Sequence, residues 1–162
     1  KTLKQDIIVI CAALGSEALL KPLGHNLPLE PVLGQALNLE LEDNQNWSGW
    51  PAVLVSEGIN LVPNGPNHIL MGATLEPGTY GDPKNIEEMK SMNGKAPTWI
   101  RKSTVIEHWS GIRARPKDRP APLLKKLEPG LIMATGHYRN GILLAPASAE
   151  WVGNEIFNEK II

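Results

Sequence analysis

The sequence predicts an α+β protein: a mostly antiparallel sheet whose two flanking ends read as pieces of an α/β layer. Three observations carry this expectation. The middle of the chain holds several short strand-like runs parted by turn residues. A continuous apolar run, Asp6-Ile7-Ile8-Val9-Ile10-Cys11, opens the chain. A strand, a glycine-bounded turn and a helix close it, between Leu131 and Phe157.

The elements follow in order. The run from Asp6 to Cys11 suits a strand buried on both faces, as in a parallel sheet. Ala12 to Ser16 turns into a short helix, with Ser16 as N-cap and Gly24 as its stop. Pro31 to Glu42 alternates: Val32, Leu33, Ala36, Leu37, Leu39 and Leu41 interleave with Gln35, Asn38 and Glu40, predicting a long half-buried strand. Asn44 to Pro51 is a loop with Trp47 and Trp50. Ala52 to Ser56, Ile59 to Val62 and His68 to Leu75 read as strands, the last two joined by a hairpin turn at 63–67. A short helix is predicted over Asn85 to Met92, with Asp82 near its start. Ser103 to Arg113 is a strand. Three prolines keep Pro116 to Pro122 irregular. Leu131 to Thr135 is a strand and Ile142 to Phe157 a helix, interrupted near its start by Pro146.

Composition narrows the function classes. The chain has 162 residues, 42% apolar and 20% charged, with a net charge of −1. That is enough for a packed core. The charge balance gives no reason to expect nucleic acid or a membrane surface as partner. No apolar run approaches the length of a membrane span. The single cysteine, Cys11, reads as a buried structural thiol, and a cytoplasmic address is expected. No secretory signal is visible, and a start at Lys1 just before a strand suggests the second part of a longer polypeptide.

Candidate chemistry concentrates at the C-terminal end. Gly136-His137-Tyr138-Arg139-Asn140-Gly141-Ile142-Leu143 lies between a strand and a helix start. There the unpaired N–H groups of the first helical turn and the helix dipole favour an anion. Arg139 adds a planar fork that matches a carboxylate. The plain alternative is an ordinary strand-to-helix connection. Arg113 ends the strand containing Trp109, where a side chain can be aimed into a cleft; the alternative is a surface pair with Glu107 or Asp118. Two arginines could hold a small anion between them. The four histidines match no metal spacing, and there is no GxSxG and no GxGxxG. The tryptophans read as core or interface anchors.

These residues resemble the D-amino-acid oxidase family of FAD-dependent oxidases, and within it the glycine-oxidising branch that serves thiamine biosynthesis. The resemblance runs nearly end to end. It rests on Ile7 to Ala13, on Leu27-Pro28-Leu29-Glu30-Pro31-Val32-Leu33-Gly34-Gln35, and on Leu61-Val62-Pro63 with Met71-Gly72-Ala73-Thr74. Trp109-Ser110-Gly111-Ile112-Arg113 and Gly136 to Pro146 carry it most specifically. It implies FAD as cofactor, a small amino acid and oxygen as substrates, and oxidative deamination yielding a 2-oxo acid, ammonia and hydrogen peroxide. Arg113 and Arg139 match the arginines that hold the substrate carboxylate. Ala12, Ala13 and the segment His137, Tyr138, Arg139, Asn140, Gly141, Ile142 and Leu143 match positions beside the flavin. Residues 1–26 would be a piece of the FAD-binding domain, 27–115 the substrate-binding sheet domain, and 116–162 a return to an FAD-binding domain that is incomplete here. The GxGxxG half is expected upstream as a partner; without it the chain should neither hold FAD tightly nor turn over. Apolar surface left for that half could drive association into a homo-oligomer.

The sequence departs from the family pattern at three points. Ala13 stands where the family often has glycine. Asn60 and Leu75 stand where relatives place an aromatic and a methionine over the substrate. The substrate could therefore be glycine or another small amine, a D-amino acid or sarcosine. A non-catalytic sheet domain for binding or assembly is the reading from a different class.

Overall fold

Every strand must find partners for its backbone N–H and C=O groups, and two sheets divide that task here. The computed structural model describes residues 7–47 and 49–159. The chain separates into two compact units, Val32–Ile112 and Lys1–Pro31 with Arg113–Ile162. No described helix is long and apolar enough to cross a membrane.

The larger sheet is built from β2 (Leu29–Glu40), β3 (Leu54–Ser56), β4 (Ile59–Pro63), β5 (His68–Gly72), β6 (Glu76–Pro77) and β7 (Thr104–Pro116). Its order is β3-β4-β5-β2-β6, with β7 also pairing β2. The β4–β5 hairpin and the β2–β5 ladder are antiparallel, and they bring Leu37 and Leu61 beside Met71 and Leu39 beside Ile69. Those side chains form one apolar layer, onto which α2 (Pro83–Lys90), the turn after it and α3 (Thr98–Arg101) bring Met89, Met92 and Ile100. Asp82 caps α2: its side chain accepts from the Lys84 N–H, leaving one fewer unpaired donor at the helix start. Trp47, Trp50 and Trp99 pack against the same layer, edge to face, with ring centroids 5.0 and 6.1 Å apart.

Alternation predicts a half-buried β2, but its residues from Val32 to Gln35 and from Leu37 to Leu39 are buried. It is an inner strand, and its polar Gln35 is hidden because Glu76 takes its amide hydrogen, 2.8 Å away. β5 ends at Gly72 rather than at Leu75, since the Thr74 N–H turns to the Gln35 carbonyl. β7 runs three residues past Arg113.

The smaller sheet has the order β1-β9-β8, formed by β1 (Ile8–Ile10), β8 (Leu123–Glu128) and β9 (Leu131–Thr135). β1 and β9 are parallel, β8 and β9 antiparallel. β9 is buried along its whole length. β1 is an edge strand, so two expectations fail: Ile8 is 39% exposed and the Cys11 thiol is exposed rather than buried. The predicted strand start at Asp6 lies outside the described residues. Ser16 does not cap a helix by its side chain. A 3-10 turn over Ala13–Gly15 leads straight into α1 (Ser16–Leu20), and the buried Ser16 hydroxyl faces Thr135 Oγ1 at 3.4 Å. Gly24, at φ 84°, ends the 3-10 turn that follows α1, a conformation that costs glycine nothing. Leu20, Leu27, Leu29, Ala114, Leu123, Leu131 and Met133 form this unit's core. β8 and α3 are elements that the sequence pattern does not announce.

Candidate functional site

β9 delivers the chain, fully buried, to the turn at 136–140, and α4 (Gly141–Glu159) leaves it. Gly136 and Tyr138 both take the left-handed backbone conformation, at φ 64° and 54°. A Cβ on Gly136 would lie 2.9 Å from Pro116 Cγ and 3.2 Å from Leu29 Cδ2. Both backbone conformation and space therefore require glycine there. Gly136→Ala is expected to cost about 2–4 kcal/mol, read as a lower urea midpoint; a midpoint equal to wild type would show that the turn is not packed as described.

The first intrahelical hydrogen bond of α4 runs from the Leu144 N–H to the Asn140 carbonyl. The N–H groups of Gly141, Ile142 and Leu143 precede it and have no acceptor within the helix. Ile142 and Leu143 are 95% and 79% exposed, a large apolar surface beside a helix N-terminus. Asn140 and Arg139 are exposed; His137 and Tyr138 are half-buried. His137 Nε2 lies 2.8 Å from the hydroxyl of Ser148. Its ring thus ties the turn to the second turn of α4 and is engaged structurally.

The end of β7 meets this turn. Arg115 lies over the Tyr138 ring, 6.0 Å from its centroid, and pairs with Glu30 Oε2 at 2.6 Å. The Glu30 hydrogen bond raises the Arg115 guanidinium above its ordinary range. Arg113 is half-buried and sits two residues earlier on the same strand; alternation puts the two side chains on one face of β7. Sequence reasoning missed Arg115, Glu30 and Ser148. The Arg113-Ala114-Arg115 alternation was the available signal for the first.

Ala12 and Ala13 are exposed. Ala13 is held at φ 47°, a left-handed conformation in which glycine carries no steric cost. Asn60 is half-buried on β4, and its Nδ2 donates to the Gly72 carbonyl at 3.1 Å. Leu75 follows β5 and is 47% exposed. A buried carboxylate beside it, Glu76, was also missed. It accepts from Gln35 Nε2, the Thr74 hydroxyl, the Asp82 N–H and Asn85 Nδ2. Burial alone would push this carboxyl up; the four hydrogen bonds outweigh it and hold the pKa at about 2.

Glycine oxidase of Pseudomonas putida is 33% identical over 152 residues, which cover 91% of this chain and 40% of the relative. The crystal structure of glycine oxidase from Geobacillus kaustophilus superimposes with a TM-score of 0.73 at 27% identity, over 91% of this chain and 40% of that one. That of glycine oxidase from Bacillus cereus gives 0.76 at 25% identity, over 94% and 43%. The chain thus spans about two fifths of the length of these relatives. The pattern of the FAD dependent oxidoreductase family matches residues 1–155, and the chain belongs to that family.

Proposed function

We propose that this chain forms the substrate-binding and flavin-capping part of an amino-acid oxidase that converts glycine to glyoxylate. The observation that carries the reading is the turn at 136–140, where Arg139, the leading N–H groups of α4 and the end of β7 are brought together. Ala12, Ala13 and residues 137–143 would border the flavin ring. Bound FAD would supply a two-electron acceptor that oxygen reoxidises. The residues present fit its electron-rich end: backbone N–H groups fixed in advance stabilise negative charge without reorganising. The 162 residues contain no GxGxxG, so the nucleotide half of the site would come from a further stretch of polypeptide.

Arg113 would make a bidentate pair with the substrate carboxylate, and the exposed Arg139 would add charge. Together they orient the α-carbon; no side chain need act as base if the amine arrives uncharged. The overall conversion balances as glycine, oxygen and water giving glyoxylate, ammonia and hydrogen peroxide. A second reading is a D-amino acid or N-methylglycine (sarcosine) as substrate.

Peroxide release by the FAD-loaded enzyme tests both. The highest kcat/KM is expected with glycine. A higher value with N-methylglycine selects the second reading, and no peroxide from any small amine rejects the oxidase. A titration of the 162-residue chain alone with FAD is expected to leave flavin fluorescence unquenched. Tight binding would overturn the division of the cofactor site.

A further inference from the structure

A pocket of about 240 Å³ opens between the end of α2 and α3, lined by Glu87, Lys90, Ser91 and Arg101. All four lie within the 32–112 unit, and none belongs to the turn at 136–140. Residues three and four apart share one helix face, so Glu87, Lys90 and Ser91 meet on one side of α2. The turn at 91–96, closed by hydrogen bonds from the Gly94 and Ala96 N–H groups to the Ser91 carbonyl, brings Arg101 of α3 against that side.

Both cations are pinned without being neutralised. Lys90 Nζ donates to the Ser103 carbonyl at 2.9 Å. Arg101 donates from Nη1 to the Ala96 carbonyl and from Nη2 to the Thr98 hydroxyl, both at 3.1 Å. These acceptors carry no charge, and each cation keeps N–H groups to spare. Among the described residues no carboxylate pairs with Lys90 or Arg101, and Glu87 pairs with no cation; Lys84 takes the neighbouring Glu88 instead, at 3.5 Å. The carbonyls that end α2 do not oppose an anion here, because the Ser91, Met92 and Asn93 N–H groups cover those of Glu87, Met89 and Glu88. One pocket thus presents two positive charges and one negative charge, all without a counter-ion.

We propose that this pocket is a ligand site for a small 2-amino acid in its zwitterionic form. The carboxylate lies against Lys90 and the fork of Arg101, and the ammonium against Glu87. The volume is below the roughly 300–1,000 Å³ of pockets for drug-sized ligands, so only a small molecule is enclosed. A second negative charge, as on phosphate, would meet the Glu87 carboxylate. Glu87 and Arg101 are exposed while Lys90 and Ser91 are half-buried. Water therefore screens the pairs in part, and binding is weak and readily reversed. That suits the sensing of an abundant amino acid rather than its retention. The site uses no residue of the oxidase reading and stands or falls apart from it.

The test is an amide NMR titration of the 162-residue chain with L-alanine and with propionate, which is alanine without its ammonium group. Saturable shifts are expected at the amides of residues 87–103, with alanine bound at least about threefold more tightly than propionate. Glu87→Gln is expected to abolish that preference. Arg101→Gln is expected to weaken alanine about fivefold with an unchanged urea midpoint. Lys90→Gln, which can still donate to the Ser103 carbonyl, serves if Arg101→Gln does not fold, and is expected to weaken alanine likewise. No saturable shift at these amides overturns the site. Propionate or inorganic phosphate bound as tightly as alanine overturns it too, because charge alone would then suffice.

Discussion

Arg113→Ala in the FAD-loaded enzyme is expected to raise KM for a small amino acid by about a hundredfold or more. Truncating one partner of a hydrogen-bonded charge pair costs about 2–5 kcal/mol, and each 1.4 kcal/mol is about tenfold. Arg113 is half-buried, so its pair with a carboxylate would be only partly screened by water. The loss would fall mainly on KM, because the carboxylate is held alike in ground and transition states. Arg113→Lys should recover only part of it, as an ammonium is a point charge without the fork. Arg139→Ala should cost less, since Arg139 is exposed. Steady-state kinetics with glycine decide the matter, and an unchanged KM in Arg113→Ala would remove that residue from the site.

Glu76→Gln is expected to lower stability at pH 7 by about 3 kcal/mol. The native carboxyl titrates at about 2 against an ordinary 4.5, and one pKa unit corresponds to about 1.4 kcal/mol. A depressed carboxyl stabilises the fold fully above its unfolded pKa, because the unfolded chain then binds no more protons than the native one. Between about 4.5 and 2 the unfolded state takes up the proton first, and the contribution drains away as pH falls. The variant, which cannot ionise there, loses nothing over that window from this group. Urea midpoints at pH 7 and pH 3 should therefore converge by roughly 2 kcal/mol between the two proteins. An equal gap at both pH values would mean that the charge of Glu76 is not what the four donors stabilise.

The parts of the fold legible in the sequence are those where local chemistry and tertiary demand agree. Gly24 ends its turn, the Pro63–Asn67 segment turns the hairpin, Asp82 caps α2, and the apolar run 131–135 is a buried strand. Legibility fails where a partner far along the chain decides. Alternation sends Gln35 to solvent, yet Glu76, distant in sequence, draws it inside. Glu76 is an acid between apolar and proline neighbours, and only its four donors explain its burial. β8 mixes two lysines among leucines and follows a proline-rich loop, so only its pairing with β9 makes it a strand. Cys11 looks like a core residue by its neighbours and is exposed because β1 lies at a sheet edge. At the candidate site the turn itself was readable from Gly136, Arg139 and the flanking apolar segments. Its bracing by Arg115, Glu30 and Ser148 was not.

The indole trio gives one unit a spectroscopic voice of its own. Trp50 stands nearly perpendicular to both Trp47 and Trp99, at 77° and 80°. Rings that close share their excitations, so the trio should give a near-ultraviolet circular dichroism band that vanishes when the packing loosens. Flavin, by contrast, absorbs visible light. On the proposed oxidase reading, melting of the 32–112 unit and release of a flavin would be followed at separate wavelengths in one cuvette, and the order of the two events would show which of them ends the activity.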